Sequence, residues 1–370
     1  MKEKSKRTKF LSEYSYIAVY VIILIVYVIT NHGLTMSGFM NIFRHSAVIG
    51  IIGFGMGLIC LTGDIDLSVG SMLALVSGFS VVIFNMTDNI LLTFLFAVGF
   101  GAVCGLINGM LVGYGKIPAF IATLATMLIY RSFAQYYCQH IDKNLIGGGS
   151  SVYRMANANT LYQAMYNMGN GKVLTVPIVG ILLIAVTIIF VYLTTETKYG
   201  KQIYAVGSNA KAARMTGIDV DKVKVSVFVI AGALVGLASF VWIAMNASAD
   251  PATTGSSYEM YAIAAVVLGG ISMSGGRGKM LGILFGAMSY TVIDKIIVAL
   301  KMDSLINDAI KGIILIVVIM IQIVSPRINE KIQKRYKGLP EGWKFFKSRH
   351  GVPISNRYHV CFCVYIQYKI

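Results

Sequence analysis

The sequence predicts an all-α polytopic membrane protein with about ten transmembrane helices in one bundle, and three observations predict it. Of 370 residues, 56% are hydrophobic and only 13% are charged, against roughly 25% charged in a soluble domain. The mean hydropathy is +0.71. The apolar residues gather into segments near the ~20 residues that a helix needs to cross a bilayer. Length alone would argue for two or more domains of about 150 residues each, but that division presumes water around every core.

The chain begins MKEKSKRTKF, which is basic, and runs into YIAVYVIILIVYVIT at 16–30. No small-residue cleavage pattern of a secretory signal follows. The segment 12–30 is therefore expected to be a retained first span behind a cytoplasmic N-terminus, 1–11. Spans two to five are placed at 43–61, 67–86, 90–113 and 117–138. A long connection, 139–173, rich in Gly, Asn, Ser and aromatic residues, leads to a sixth span at 174–193. The most charged connection, 194–224, precedes spans at 225–245, 258–274, 280–299 and 305–324. The membrane domain is thus 12–325, followed by a basic tail, 326–370.

The net charge of +16 raises the question of a nucleic-acid partner, and placement argues against one. Lys and Arg cluster outside the apolar runs. With the N-terminus inside, the cytoplasmic side collects Lys2, Lys4, Lys6, Arg7, Lys9, Lys116, the residues Lys198 to Lys224, Arg277, Lys279 and the tail. The outside keeps few, such as Arg44, Lys143, Arg154, Lys172 and Lys301. This is the positive-inside pattern of a membrane topology with both termini cytoplasmic.

Helix packing is written in glycine. Gly101, Gly105, Gly109 and Gly113 recur four apart, Gly278, Gly282 and Gly286 repeat the device, and Gly53/Gly57 and Gly232/Gly236 add two pairs. Small faces let backbones approach closely where lipid supplies no hydrophobic drive between helices. The five cysteines, Cys60, Cys104, Cys138, Cys361 and Cys363, form no spaced framework.

Two acids, Asp64 and Asp66, lie in the short TGDID loop between spans two and three. Charge at membrane depth costs at least ~2.5 kcal/mol, so these acids should face a cavity, a partner or the interface. Ser68 and Ser71, with Asp66 as N-cap, also suit the start of span three, the other reading being that Asp64, Asp66 and Ser68 belong to the substrate pathway. Asn108, Thr123 and Thr126 are further polar groups of spans four and five, suited to a solute with hydroxyl groups. In the connection after span six, Ser208 or Asn209 is fit to cap a short helix through Lys211, Ala212 and Arg214, with Gly217 ending it and Asp219 or Asp221 opening span seven. Catalytic and metal-binding motifs such as H-E-x-x-H are absent, and no Gly-Lys pair has the rest of a phosphate-binding loop.

Five ordered segments carry a family resemblance: LTGDIDLSVGSMLAL (61–75), GLINGMLVGYGKIPAFIATLATM (105–127), TKYGKQIYAVGSNAKAARMTGIDVDKVKV (197–225), GSSYEMYAIAAVVLGGISMSGGRGKMLGILFGA (255–287) and IKGIILIVVIMI (310–321). In these the chain resembles the permease subunits of bacterial ABC importers for ribose and related monosaccharides. The resemblance implies a homodimeric or pseudo-dimeric permease core in the cytoplasmic membrane. It also implies an external sugar-binding protein, a cytoplasmic ATPase subunit that consumes the ATP, and no cofactor in this chain. It makes 198–222 the loop that docks on the ATPase, and turns 139–173 and 246–257 toward the binding protein. Residues 338–370 do not resemble the family, and the tail is expected to be dispensable. A secondary transporter driven by an ion gradient, with Asp64 and Asp66 as its ion site, is the alternative; an intramembrane enzyme is disfavoured by the missing catalytic groups.

Overall fold

The computed structural model describes residues 15–149 and 151–300, with isolated positions between 309 and 320. Tyr16–Gly312 form one packed unit. The other grouping, Met1–Ser15 with Ile313–Ile370, falls almost wholly outside the described residues, as do the expected segment 1–11, the expected span 305–324 and the tail 326–370.

The first helices are α1 (Ser15–Thr30), α2 (Met36–Leu61), α3 (Val69–Thr87), α4 (Ile90–Gly113) and α5 (Ala119–His140). The connection that follows holds a 3-10 turn (Lys143–Ile146), β1 (Tyr153–Arg154), α6 (Tyr162–Asn170) and the strands β2 (Lys172–Val173) and β3 (Val176–Pro177). Then come α7 (Ile178–Glu196), α8 (Lys198–Ser208), α9 (Ala210–Met215), α10 (Val220–Asn246), β4 (Ser248–Ala249), α11 (Tyr258–Leu268) and α12 (Leu281–Ala299). Six of these, α2, α3, α4, α7, α10 and α12, are long and apolar enough to cross a membrane. Nine of the ten expected spans overlap helices, six of them long and apolar enough to cross; the tenth, 305–324, lies almost wholly outside the described residues.

Burial divides the helices by position. Every α2 residue from Ser46 to Leu61 is buried, so α2 is a central helix, apolar all round because protein surrounds it. In α4 only a stripe is buried, through Ala97, Gly101, Cys104, Gly105, Asn108 and Gly109. Its other faces expose Leu91, Leu95, Val103 and Met110. A helix apolar on faces that no protein covers belongs in lipid.

The buried α4 stripe packs on α10 through the predicted glycines. A Cβ on Gly101 would overlap the backbone of Gly232 and Gly236; one on Gly105 would overlap Phe228 and Gly232; Gly109 and Gly113 lie against Val225. Gly282 and Gly286 serve α12 alike, against Gly269 and Ala265. Gly278 departs from the expectation: it precedes α12, has φ +128°, and packs on Ile271. Its place is in a turn, not on the helix face, because the chain from Gly269 to Met280 is wound tightly between α11 and α12.

The predicted span 258–274 is helical only over the 11 residues of α11, about 16 Å of rise. Before it, residues 250–257 are non-helical. They do not form a simple outward loop: Gly255, at φ +69°, abuts Gly70 in the first turn of α3 so closely that neither tolerates a Cβ. At the same end of α10, β4 pairs antiparallel with β1, Tyr153 opposite Ala249. The buried Tyr153 hydroxyl donates to the Ala134 carbonyl at 2.9 Å, tying this connection to α5.

Candidate functional site

The acids of the α2–α3 loop have separate environments. Asp64 is half-buried and forms an ion pair with Lys224 in the first turns of α10, Oδ2 to Nζ 2.8 Å. Asp66 is 1% exposed and, among the described residues, has no cation within ion-pair range. Its Oδ1 accepts from the Ser68 N–H and hydroxyl, both at 2.7 Å, and its Oδ2 accepts from Asn108 Nδ2 at 3.3 Å. Asn108 Nδ2 also donates to Ser68 Oγ at 2.8 Å, while its buried Oδ1 has no protein partner. The Leu67 N–H donates to Thr123 Oγ1 at 3.1 Å, and Thr126 Oγ1 donates to the Thr123 carbonyl at 3.2 Å. Asp66, Ser68, Asn108 and Thr123 therefore form one buried network joining α3, α4 and α5, with Thr126 behind it. Asp66 organises the turn before α3, whose N-cap position is Ser68 without a side-chain bond.

The charged connection folds as two helices where the sequence suggested one. Thr197 Oγ1 caps α8 by accepting from Gly200 N at 3.1 Å. Gly200, Ile203 and Val206, three apart in the sequence, are the buried face of α8. Of the two predicted caps, Asn209 is used, its Oδ1 accepting from Ala212 N at 3.0 Å; Ser208 ends α8. Gly217, at φ +85°, ends α9, with Ile218 N donating to the Ala213 carbonyl at 3.1 Å. Asp219 caps α10, accepting from Lys222 N at 3.1 Å. The Lys222 backbone and side-chain hydrogen bonds hold the Asp219 carboxyl below its ordinary range.

This platform is anchored on the bundle and open on its far side. Gly207 of α8 abuts the Leu61 carbonyl and Gly276. Arg214 Nη2 lies 2.9 Å from Asp221 Oδ1, and Lys116 of the α4–α5 turn pairs with the same carboxylate. Asp64, Lys116, Arg214, Asp221 and Lys224 line one cavity of about 390 Å³. Lys211, Ala212 and Arg214 are exposed, and Met215 is 89% exposed.

Among the described residues no group of three His, Cys, Asp or Glu is placed to hold a metal ion. Cys60, Cys104 and Cys138 are buried free thiols.

Residues 38–319 match the family model described as the branched-chain amino acid transport system / permease component. The chain belongs to this permease family. It is 34% identical over 309 residues to the ribose import permease protein RbsC of Escherichia coli K12, covering 83% of this chain and 92% of that protein. RbsC of Bacillus subtilis is 36% identical over 306 residues, 83% of this chain and 91% of the relative. The autoinducer 2 import system permease protein LsrC of Yersinia pseudotuberculosis is 31% identical over 293 residues, 79% of each chain. No solved structure matches the chain. As a permease component, the protein is membrane-embedded; its apolar outer faces on α4 and α7 have the solvent they require.

Proposed function

We propose that this permease is the membrane-spanning subunit of an ATP-driven importer for a monosaccharide, ribose or a similar sugar, delivered by an external binding protein. The observation that carries this reading is the similarity to ribose import permeases over 92% of the E. coli protein, joined to a platform, α8–α9, that is capped, anchored and exposed at Met215. The permease has ten spans with both termini cytoplasmic, works as a homodimer in the bacterial cytoplasmic membrane, and leaves ATP hydrolysis to a partner subunit. ATP and the loaded binding protein act by favouring different states of the permease, since a ligand shifts an equilibrium only through its differential affinity.

Docking on the ATPase rests on residues 198–222, with Lys211, Arg214 and Met215 at the contact. Met215→Asp is expected to lower recovery of the ATPase subunit with the permease on the order of tenfold, ~1.4 kcal/mol, and Arg214→Glu to act in the same direction. Recovery equal to wild type in both would remove the docking assignment.

Asp66 favours one second reading. A buried carboxyl with no basic partner among the described residues, beside the orphaned Asn108 Oδ1, is a feature of ion-coupled transporters. Uptake of labelled monosaccharides by vesicles containing this chain, with and without the ATPase and binding protein, separates the two. Uptake requiring all components and ATP supports the importer. Uptake by this chain alone, driven by a proton or sodium gradient, overturns it. Truncation at Gly338 is expected to leave transport intact.

A further inference from the structure

Segment 250–257 raises a physical problem that its surroundings solve. α11 rises only about 16 Å, about half of a ~30 Å hydrocarbon core, so the irregular backbone before it shares the membrane's depth with the middle of α5. Irregular backbone is tolerated at that depth only where protein covers it or water reaches it. Protein covers one side: Pro251, Thr254 and Gly255 are buried. Arg131, midway along α5, satisfies the carbonyls there, its Nη1 donating to Pro251 at 2.9 Å, Ala252 at 3.5 Å and Thr254 at 2.7 Å. The other side, with Thr253 and Ser256, is exposed.

The neighbouring part of α5 carries exposed polar groups at mid-helix, where the exposed middle of α7 is apolar. α7 exposes Ile181, Ile184, Ile188 and Ile189. α5 sets exposed Ser132 and Gln135 among its exposed apolar residues Leu128, Ile129 and Phe133, on the turns next to Arg131. Leaving hydroxyl and amide groups in hydrocarbon without a partner is costly, whereas a water-filled path asks no such penalty. The exposed hydroxyl and amide groups suit a polyhydroxylated solute, while Arg131 is engaged with the backbone near the carboxylates of Asp250 and Glu259, Asp250 Oδ1 itself accepting from the Ala252 N–H.

We infer that the middle of α5 and the unwound segment 250–257 line the solute path, with Ser132, Gln135, Thr253 and Ser256 meeting a polyhydroxylated solute and Arg131 as the positioning residue that holds the segment unwound. The chemical class of the solute rests on the importer reading above; the aqueous exposure of this face does not.

The test places single cysteines at Ser132, Gln135, Thr253 and Ser256, and at Ile188 as a lipid-facing control, in a permease whose native cysteines are replaced by alanine. The chain is assembled with its ATPase and binding protein in vesicles and treated with a charged, membrane-impermeant thiol reagent. Only a hydrated thiolate reacts readily, so labelling on the order of a hundredfold faster than at Ile188→Cys is expected, slowed by sugar-loaded binding protein. Arg131→Gln is expected to change the labelling rate at Thr253→Cys and leave Gln135→Cys unchanged, a local effect that general unfolding would not produce. Rates equal to the Ile188 control would show a lipid-facing wall, and efficient disulfide formation between copies in every state would show a closed interface; either result overturns the proposal. Fast labelling that sugar never slows overturns the solute contact and, with the uptake assay positive, leaves the importer reading standing.

Discussion

Replacing Lys224 with methionine is expected to destabilise the permease by about 3 kcal/mol, the low end for breaking a buried ion pair, and to abolish sugar uptake. The pair is mostly shielded, with side chains 23% and 12% exposed for Lys224 and Asp64, so the carboxylate left behind has little water to replace its partner. Asp64→Asn is expected to impair uptake while leaving membrane insertion intact, because the loop keeps its polar neighbours but loses its tie to α10. The double variant, Asp64→Asn with Lys224→Met, should recover much of the stability lost in Lys224→Met, since no charge is stranded; thermal unfolding in detergent reads this as a double-mutant cycle. Strict additivity would show that the two residues do not interact. The location gives the pair functional weight: it fastens the loop carrying Asp66 to the first turns of α10, immediately after α9 and Asp221. The α8–α9 platform and the α3–α4–α5 network are thus linked by this tie and by Lys116, which shares Asp221 with Arg214.

Local signals in the sequence foretold local structure. The Asn209 cap, the Gly217 stop and the Asp219 cap each involve residues within one turn of one another, and each is where the residue types require it. The α4 glycine stripe was equally plain, because its spacing alone defines a helix face. Partners distant in the chain were not legible: nothing near TGDID announces Lys224, and nothing near Arg131 announces the carbonyls of residues 251–254. The segment DPATTGSS has the composition of a surface loop, and composition cannot distinguish backbone bonded to water from backbone bonded to the half-buried Arg131 guanidinium. Gly278 shows the complementary error, a correct four-residue spacing that begins before the helix does. α8 was hidden by its polar composition, although its buried positions keep helical spacing.

Gly105→Leu is expected to prevent accumulation of folded permease, and Gly99→Leu to leave it unaffected. Both positions lie in α4, both changes favour helix over glycine by close to 1 kcal/mol in propensity, and both add the same apolar side chain, so propensity and hydropathy predict equal behaviour. Packing predicts opposite behaviour. At Gly105 a Cβ would run into the Phe228 carbonyl and the backbone of Gly232, whereas at Gly99 nothing lies within 4 Å. Backbone cannot move aside as a flexible side chain can, and even modest overpacking costs roughly 1–3 kcal/mol; separating two helices that meet glycine to glycine forfeits dispersion contacts along the entire crossing. The loss extends to function, because Asn108, one turn along α4, is held against Asp66 by the same approach. Gly105→Ala is the graded case, expected to yield a folded chain with a lowered melting temperature and weakened uptake. Monodisperse elution of Gly105→Leu at wild-type yield would mean that α4 and α10 do not meet through this stripe, and the network around Asp66 would then need another support.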